Sequence, residues 1–206
     1  LGTVGKPLDN LEVEIAADGE LLVRGPSVME GYWNKPQQTA EVFDERGFFH
    51  TGDIAEIDDD GFVLIVDRKK DIIVTAGGKN VAPQPIESHL KQSPFVDTAV
   101  LIGDQRPYIV ARVSPSFDEL ERGAQGRRLA YADLEDLVGL PATRELYADI
   151  VETANASLAR YEQVKRFRVL PLTLSIEGGH LTPTLKVKRR VVAEQFAELI
   201  EELYAS

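Results

Sequence analysis

Two segments carry residue types close to those of ion or phosphate sites, and both fail on spacing. Asp58-Asp59-Asp60-Gly61 opens like a calcium loop, but position 69, where an EF-hand needs glutamate, is lysine, so a solvated turn is the better reading. Gly77-Gly78-Lys79-Asn80 is similar to the end of a P-loop, yet the earlier glycine at the required spacing and the Ser or Thr for magnesium are missing. There is no G-x-S-x-G nucleophile elbow, and His50, His89 and His180 are scattered without metal-ligand spacing. With no cysteine, disulfides, thiolate metal sites and a cysteine nucleophile are excluded. What stands out is an ordered set of segments: Gly19 to Gly25 (GELLVRG), Gly31-Tyr32-Trp33-Asn34, Thr51-Gly52-Asp53, Asp67-Arg68-Lys69-Lys70-Asp71 with Gly77-Gly78, and Leu181-Thr182-Pro183-Thr184-Leu185-Lys186. Each is weak alone.

The elements that must position these residues form two differently patterned halves, and the fold class expected for the whole is α+β. Up to about residue 70 the chain shows short alternating segments, Leu11, Val13 and Ile15, then Leu21 and Val23, with hairpin signals at Asp18-Gly19 and Asp60-Gly61. A helix is expected over 36–43, with Asn34 as cap and Pro36 in its first turn. From residue 71 the pattern changes. Segments 72–75 and 79–81 flank Gly77-Gly78 as a hairpin, and Pro83 and Pro85 lead into a helix carrying Ile86 and Leu90. Strands are expected at 99–102, 108–113 and 167–170. Leu146, Ile150, Ala154 and Leu158 mark an amphipathic helix, and Val192, Phe196, Leu199, Ile200 and Leu203 mark a terminal one. The polar, glycine-containing stretch 119–128 reads as the long loop.

The charge balance, 34 acidic against 23 basic residues, gives a net charge of -11 that would repel a phosphate backbone, so nucleic acid is not an expected partner. No apolar run approaches the roughly 18 residues of a membrane span and no signal peptide opens the chain, which is compatible with the cytoplasm and leaves peripheral membrane contact open. Opening on Leu1 rather than Met, in what reads as a strand approach, the chain is taken as an excised piece.

Taken together and in order, the quoted segments resemble the adenylate-forming superfamily of acyl-CoA synthetases, peptide-synthetase adenylation domains and luciferases. Gly103-Asp104-Gln105-Arg106-Pro107, and Leu-Thr-Pro-Thr-Leu-Lys in place of the Thr-x-Ser-Gly-Lys of many relatives, look like bacterial long-chain fatty acid–CoA ligases. The resemblance implies that residues 1–70 are the β-rich end of the large N-terminal domain and that 71–206 form the mobile α+β C-terminal lid. It implies a two-step reaction in which a fatty acid and ATP give an acyl-adenylate and pyrophosphate, after which CoA displaces AMP. The substrates would be ATP, with Mg2+ bound through it by ligands outside this segment, a fatty acid and CoA.

The same resemblance assigns roles. Asp53 would accept hydrogen bonds from the ribose hydroxyls, an arrangement strengthened by its charge; the bland reading is an Asx-turn. Arg68 would contact the same nucleotide, against a surface ion pair with Asp67 or Asp71. Lys70 matches the hinge about which the lid rotates, against an ordinary solvated lysine. Gly77 and Gly78 would form the hairpin that enters the site for the thioester step, and Lys79, where many relatives have arginine, would meet the AMP phosphate; the alternative is a plain turn. Lys186 would place a point charge on the carboxylate and α-phosphate during adenylate formation, against membership of a basic first helical turn with Lys188, Arg189 and Arg190. Lys165, Arg166 and Arg168 could meet CoA phosphates or line a solvated strand edge, and Tyr32 and Trp33 read as packing residues.

The family's phosphate loop, its adenine-binding segment and its acyl tunnel precede the region covered here, so the missing N-terminal part of the same enzyme is an implied partner. By itself this segment is expected to be inactive, facing an incomplete cleft. An adenylating enzyme that loads another carboxylate or a carrier protein, and a non-catalytic interaction module of the same fold, remain as alternatives.

Overall fold

The structure, a computed structural model, describes residues 2–205, so the strand approach read at Leu1 lies outside the described residues. The chain divides between Ile72 and Ile73 into two compact units, and both strands and helices are present, as an α+β class requires.

The first unit is an antiparallel meander of β1 (Glu12–Ile15), β2 (Glu20–Arg24), β3 (Phe49–Ile57) and β4 (Val63–Arg68), in that spatial order. The β1–β2 and β3–β4 turns fall at the two Asp-Gly pairs. There Gly19 and Gly61 adopt φ of 87° and 83°, a region that costs glycine nothing. Leu21, Ala55 and Val63 form its buried centre, with Val13, Val23 and Ile65 against them. Helix α1 (Pro36–Val42) begins after Lys35 with no side-chain cap. Asn34 does not cap it but takes a left-handed φ of 55°, which asparagine tolerates better than most residues. Trp33 is 89% exposed and Tyr32 is also exposed, so neither is a packing residue of this unit. A 3₁₀ turn, Lys69–Asp71, follows β4.

The second unit opens with a two-residue hairpin, β5 (Ile73–Val74) and β6 (Asn80–Val81), then helix α2 (Pro83–Leu90). Its sheet has β8 (Ile109–Pro115) in the middle, antiparallel to β7 (Val96–Ile102) and parallel to β9 (Val164–Val169). The parallel pairing needs a long crossover, supplied by α3 (Phe117–Gly126), α4 (Leu134–Gly139) and α5 (Pro141–Asn155). One sheet face packs with α2 to α5 through Leu101, Ala111, Val113, Ile86, Leu120 and Tyr147. The other packs through Val100 and Leu170 with Val192, Phe196 and Ile200 from α6 (Arg189–Gln195) and α7 (Ala197–Ala205). Being covered on both faces, β8 is buried at every position, which is why it reads as a nearly continuous apolar run.

Two expectations are corrected. Most of 119–128 is helix, not loop: Leu120 and Ala124, four apart, bury one face of α3, and Asp118 and Glu119 suit its positive end. The terminal helix is two helices broken at Phe196, whose carbonyl accepts from the Ile200 N–H at 3.0 Å and from Arg112 Nη2 at 3.4 Å. Arg112 sits on β8 opposite Val100 and is fully buried; desolvation, with Arg168 adding and Glu202 opposing, pushes its pKa down to about 10.

Candidate functional site

In the first unit, the pairing of β3 with β4 sets Asp53 directly opposite Arg68, and Arg68 Nη1 donates to Asp53 Oδ1 at 2.6 Å. A bulge between Ile54 and Ala55 follows at once, the kind of irregularity that re-aims neighbouring side chains. Gly52 has φ of 71°, the left-handed backbone that this turn requires, and a Cβ there would stand at an ordinary contact distance, 3.6 Å, from Arg68 Nη2. The Asp53 N–H donates to Thr51 Oγ1 at 3.1 Å, and Thr51 Oγ1 donates to the Leu21 carbonyl at 2.7 Å. One carboxylate oxygen of Asp53 is thus held by a guanidinium. The other, Oδ2, has no hydrogen-bond partner among the described residues and can still accept. No Asx-turn engages the Asp53 carboxylate among the described residues, the ion pair that Arg68 makes is with Asp53, and the Asp67 carboxylate accepts the Arg68 backbone N–H at 2.7 Å.

Beneath this pair lies a group that the residue patterns did not single out. Glu20, 3% exposed, accepts from the Gly52 N–H at 2.8 Å and from Lys69 Nζ at 2.9 Å and bonds His50 Nδ1 at 2.9 Å; Lys69 also reaches Asp18 at 2.6 Å. Glu20 therefore ties the Thr51-Gly52-Asp53 turn to the residue just before Lys70. Its only mark in the sequence was a charged residue opening a strand. Burial pushes the Glu20 carboxyl up, but the bonds to His50, Lys69 and the Gly52 amide outweigh it and hold the pKa below 4.5. A depressed pKa contributes stability that is present above the unfolded value and lost as pH falls through the folded one. The melting temperature of the protein is therefore expected to exceed that of Glu20→Gln near pH 7, with the gap closing as pH falls below about 4.5. A gap that stays constant over that range would contradict the linkage.

Lys70 lies exposed in the 3₁₀ turn, two residues before the division at Ile72, with no ion pair among the described residues. In the second unit, Gly77, Gly78 and Lys79 occupy the exposed tip between β5 and β6. The tip is closed by Gly78 N–H to the Thr75 carbonyl at 2.8 Å and Thr75 N–H to the Lys79 carbonyl at 3.0 Å. Gly78 has φ of 71°, and a Cβ there would meet nothing within 4 Å, so this backbone is open to close approach. Lys79 Nζ stands 5.8 Å from the centre of the Tyr161 ring.

Lys186 belongs to another turn of that unit. Leu181 and Val187 form an isolated bridge, the Thr182 N–H donates to the Lys186 carbonyl at 2.8 Å, and the Lys186 N–H donates to Thr182 Oγ1 at 3.0 Å. Leu185 takes a left-handed φ of 59° to close the turn, which leaves Lys186 exposed with no side-chain partner among the described residues. Lys186 precedes α6 rather than joining its first turn, and Arg189, which does join it, is drawn to Glu87. The structure thus joins Asp53 with Arg68 in one unit and Gly77, Gly78 and Lys79 on one hairpin in the other, with Lys186 on a separate turn. The described residues contain no group of three or more His, Cys, Asp or Glu suited to a metal ion, and none of their helices is long and apolar enough to cross a membrane.

Residues 70–206 match the family described as the AMP-binding enzyme C-terminal domain, and the chain belongs to this adenylate-forming family. It is 46% identical, over 99% of its length and 34% of the relative's, to the long-chain-fatty-acid–CoA ligase FadD15 of Mycobacterium tuberculosis. It is 32% identical, over 91% of its length and 27% of the relative's, to the long-chain-fatty-acid–CoA ligase ACSBG2 of Gallus gallus. Among solved structures, the adenylation domain of a carboxylate reductase from Mycobacterium chelonae superimposes with a TM-score of 0.77 at 27% identity, covering 98% of this chain and 32% of that one. The chain therefore spans about a third of the length of the relatives it matches.

Proposed function

We propose that this chain is the C-terminal portion of an ATP-dependent long-chain fatty acid–CoA ligase. The observation that carries the reading is the Asp53–Arg68 pair, a carboxylate oriented by a guanidinium with one oxygen left to accept, within a chain 46% identical to such a ligase. In the first step a fatty carboxylate oxygen attacks the α-phosphorus of ATP and the bond to pyrophosphate breaks. In the second the CoA thiol attacks the acyl carbon, its proton leaves, and the bond to AMP breaks. Asp53 accepts from the ribose hydroxyls and Arg68 holds the nucleotide's oxygens, a task for which its planar fork is suited. Lys186 serves the first step; Gly77, Gly78 and Lys79 serve the second, with Lys79 toward the AMP phosphate. Lys70 is the pivot between residues 1–70, the end of the large domain, and 71–206, the lid. Mg2+ would be bound through ATP, by ligands outside this segment. The protein acts in the cytoplasm, where its lipid substrate would bring it into peripheral contact with membranes.

The test is turnover of the full-length enzyme with ATP, CoA and palmitate, following AMP and acyl-CoA. Asp53→Ala is expected to raise the KM for ATP by about tenfold or more, the loss of a charged hydrogen-bond acceptor. An unchanged KM removes Asp53 from the nucleotide site. A carrier-protein acceptor is the second reading, favoured by the likeness to an adenylation and carrier didomain of the carboxylic acid reductase from Segniliparus rugosus, at 28% identity and a TM-score of 0.73 over 97% of this chain and 28% of that one. Turnover with a carrier protein but not with CoA would select it.

A further inference from the structure

The hairpin β5–β6 has only two residues per strand; Ile73 and Val81 seat its base in the core, while the tip beyond them is exposed and lacks such packing. It is held on its outer edge by the turn 103–107, which follows β7. The Val74 N–H donates to Asp104 Oδ1 at 3.1 Å, the Gln105 N–H donates to the Val74 carbonyl at 2.8 Å, and the Ala76 N–H donates to the Arg106 carbonyl at 2.9 Å. Three bonds thus satisfy the edge of β5 that β6 does not. The turn is shaped for this. Gln105 takes a left-handed φ of 55°, and Gly103 is packed so closely that a Cβ would come within 2.5 Å of Ile109 Cδ1 and 3.3 Å of Ile73 Cγ2. The turn is itself anchored: Arg106 forks onto Glu201 of α7, with its Nη1 at 3.2 Å from Oε2, and lies 4.8 Å from the centre of the Tyr204 ring.

We infer that Asp104 is a positioning residue for the thioester step, with its turn setting the height and tilt of the Gly77-Gly78 tip. The inference rests on the role proposed above for that tip. Asp104 is the one side chain in the brace that bonds β5, and the other two links are backbone groups which that bond keeps in register. The Ala76 N–H link reaches into the tip itself, one residue before Gly77, so a slackened turn is felt where CoA would pass. Adenylate formation does not use the tip and is insulated from the change.

The experiment compares Asp104→Ala, Asp104→Asn and Gly78→Val in the full-length enzyme. It measures pyrophosphate exchange for the first step and single-turnover AMP release by CoA from preformed acyl-adenylate for the second. Asp104→Ala is expected to slow the second step about tenfold, the size of one lost hydrogen bond, with exchange within about twofold of the parent. Asp104→Asn, which keeps the Oδ1 acceptor, should restore the rate, and backbone amide exchange over 73–81 should quicken in Asp104→Ala only. Equal loss in both steps, or an asparagine variant as slow as the alanine one, overturns the brace. If Gly78→Val slows the second step and Asp104→Ala does not, the brace alone is wrong; if neither slows it, the role of the hairpin is wrong as well. Should Asp104→Ala fail to fold, Asp104→Ser removes the carboxylate from a still polar turn and the same split is read.

Discussion

Replacing Lys186 with alanine in the full-length enzyme is expected to slow acyl-adenylate formation by about 10²- to 10³-fold, the usual cost of removing one preorganised charge from a developing anion. Thioester formation from preformed adenylate should remain largely intact. The split follows from geometry and charge. The turn 181–187 holds the Lys186 backbone by two hydrogen bonds to Thr182 while its amine stays exposed and outside any ion pair among the described residues. Such an amine is not already neutralised by a partner and keeps its full charge for the substrate. It matters only where negative charge moves onto the carboxylate and α-phosphate, which is the first step. Pyrophosphate exchange and single-turnover thioester formation, measured on the same variant, decide the matter. Equal damage to both steps would remove Lys186 from its assigned role.

Glu87→Ala is expected to destabilise the second unit by about 3 to 5 kcal/mol, the range for breaking one side of a buried ion pair. Glu87 of α2 accepts the Leu101 N–H at 2.7 Å and takes both terminal nitrogens of Arg189, at 2.5 and 3.1 Å, while Arg189 also donates to the Leu101 carbonyl at 2.8 Å. Two side chains distant in sequence thus join α2, β7 and α6. Alanine would leave the Arg189 guanidinium and the Leu101 amide without that carboxylate in a site where the pair's side chains are 24% and 12% exposed. Arg189→Met together with Glu87→Leu, which removes both charges and keeps volume, should cost far less than Glu87→Ala alone. Urea denaturation of all three proteins measures this, and a Glu87→Ala loss below about 1 kcal/mol would show the pair to be a surface contact in effect.

What could be read without coordinates was local. Asp18-Gly19, Asp60-Gly61 and Gly77-Gly78 marked the hairpins because a left-handed backbone asks for glycine wherever it occurs, whatever surrounds it. The alternation through Val13, Leu21 and Val23 and the four-residue recurrence of Ile150 and Ala154 marked strands and helix because burial repeats with the backbone's own period. The ordered motifs from GELLVRG to LTPTLK carried the family. Residues 119–128 misled because Gly123 and Gly126 outweighed, on paper, a helix face that only Leu120 and Ala124 reveal once buried. The tertiary structure alone decided which charges meet. Arg68 had acidic neighbours at Asp67 and Asp71, yet strand register sent its guanidinium to Asp53, fifteen positions away. Glu20, Glu87 and Arg112 looked like ordinary charged residues until packing withdrew water from them. The choice of partner depends on distance in space and on how much solvent is lost, and neither quantity is written in the spacing of residues along a chain.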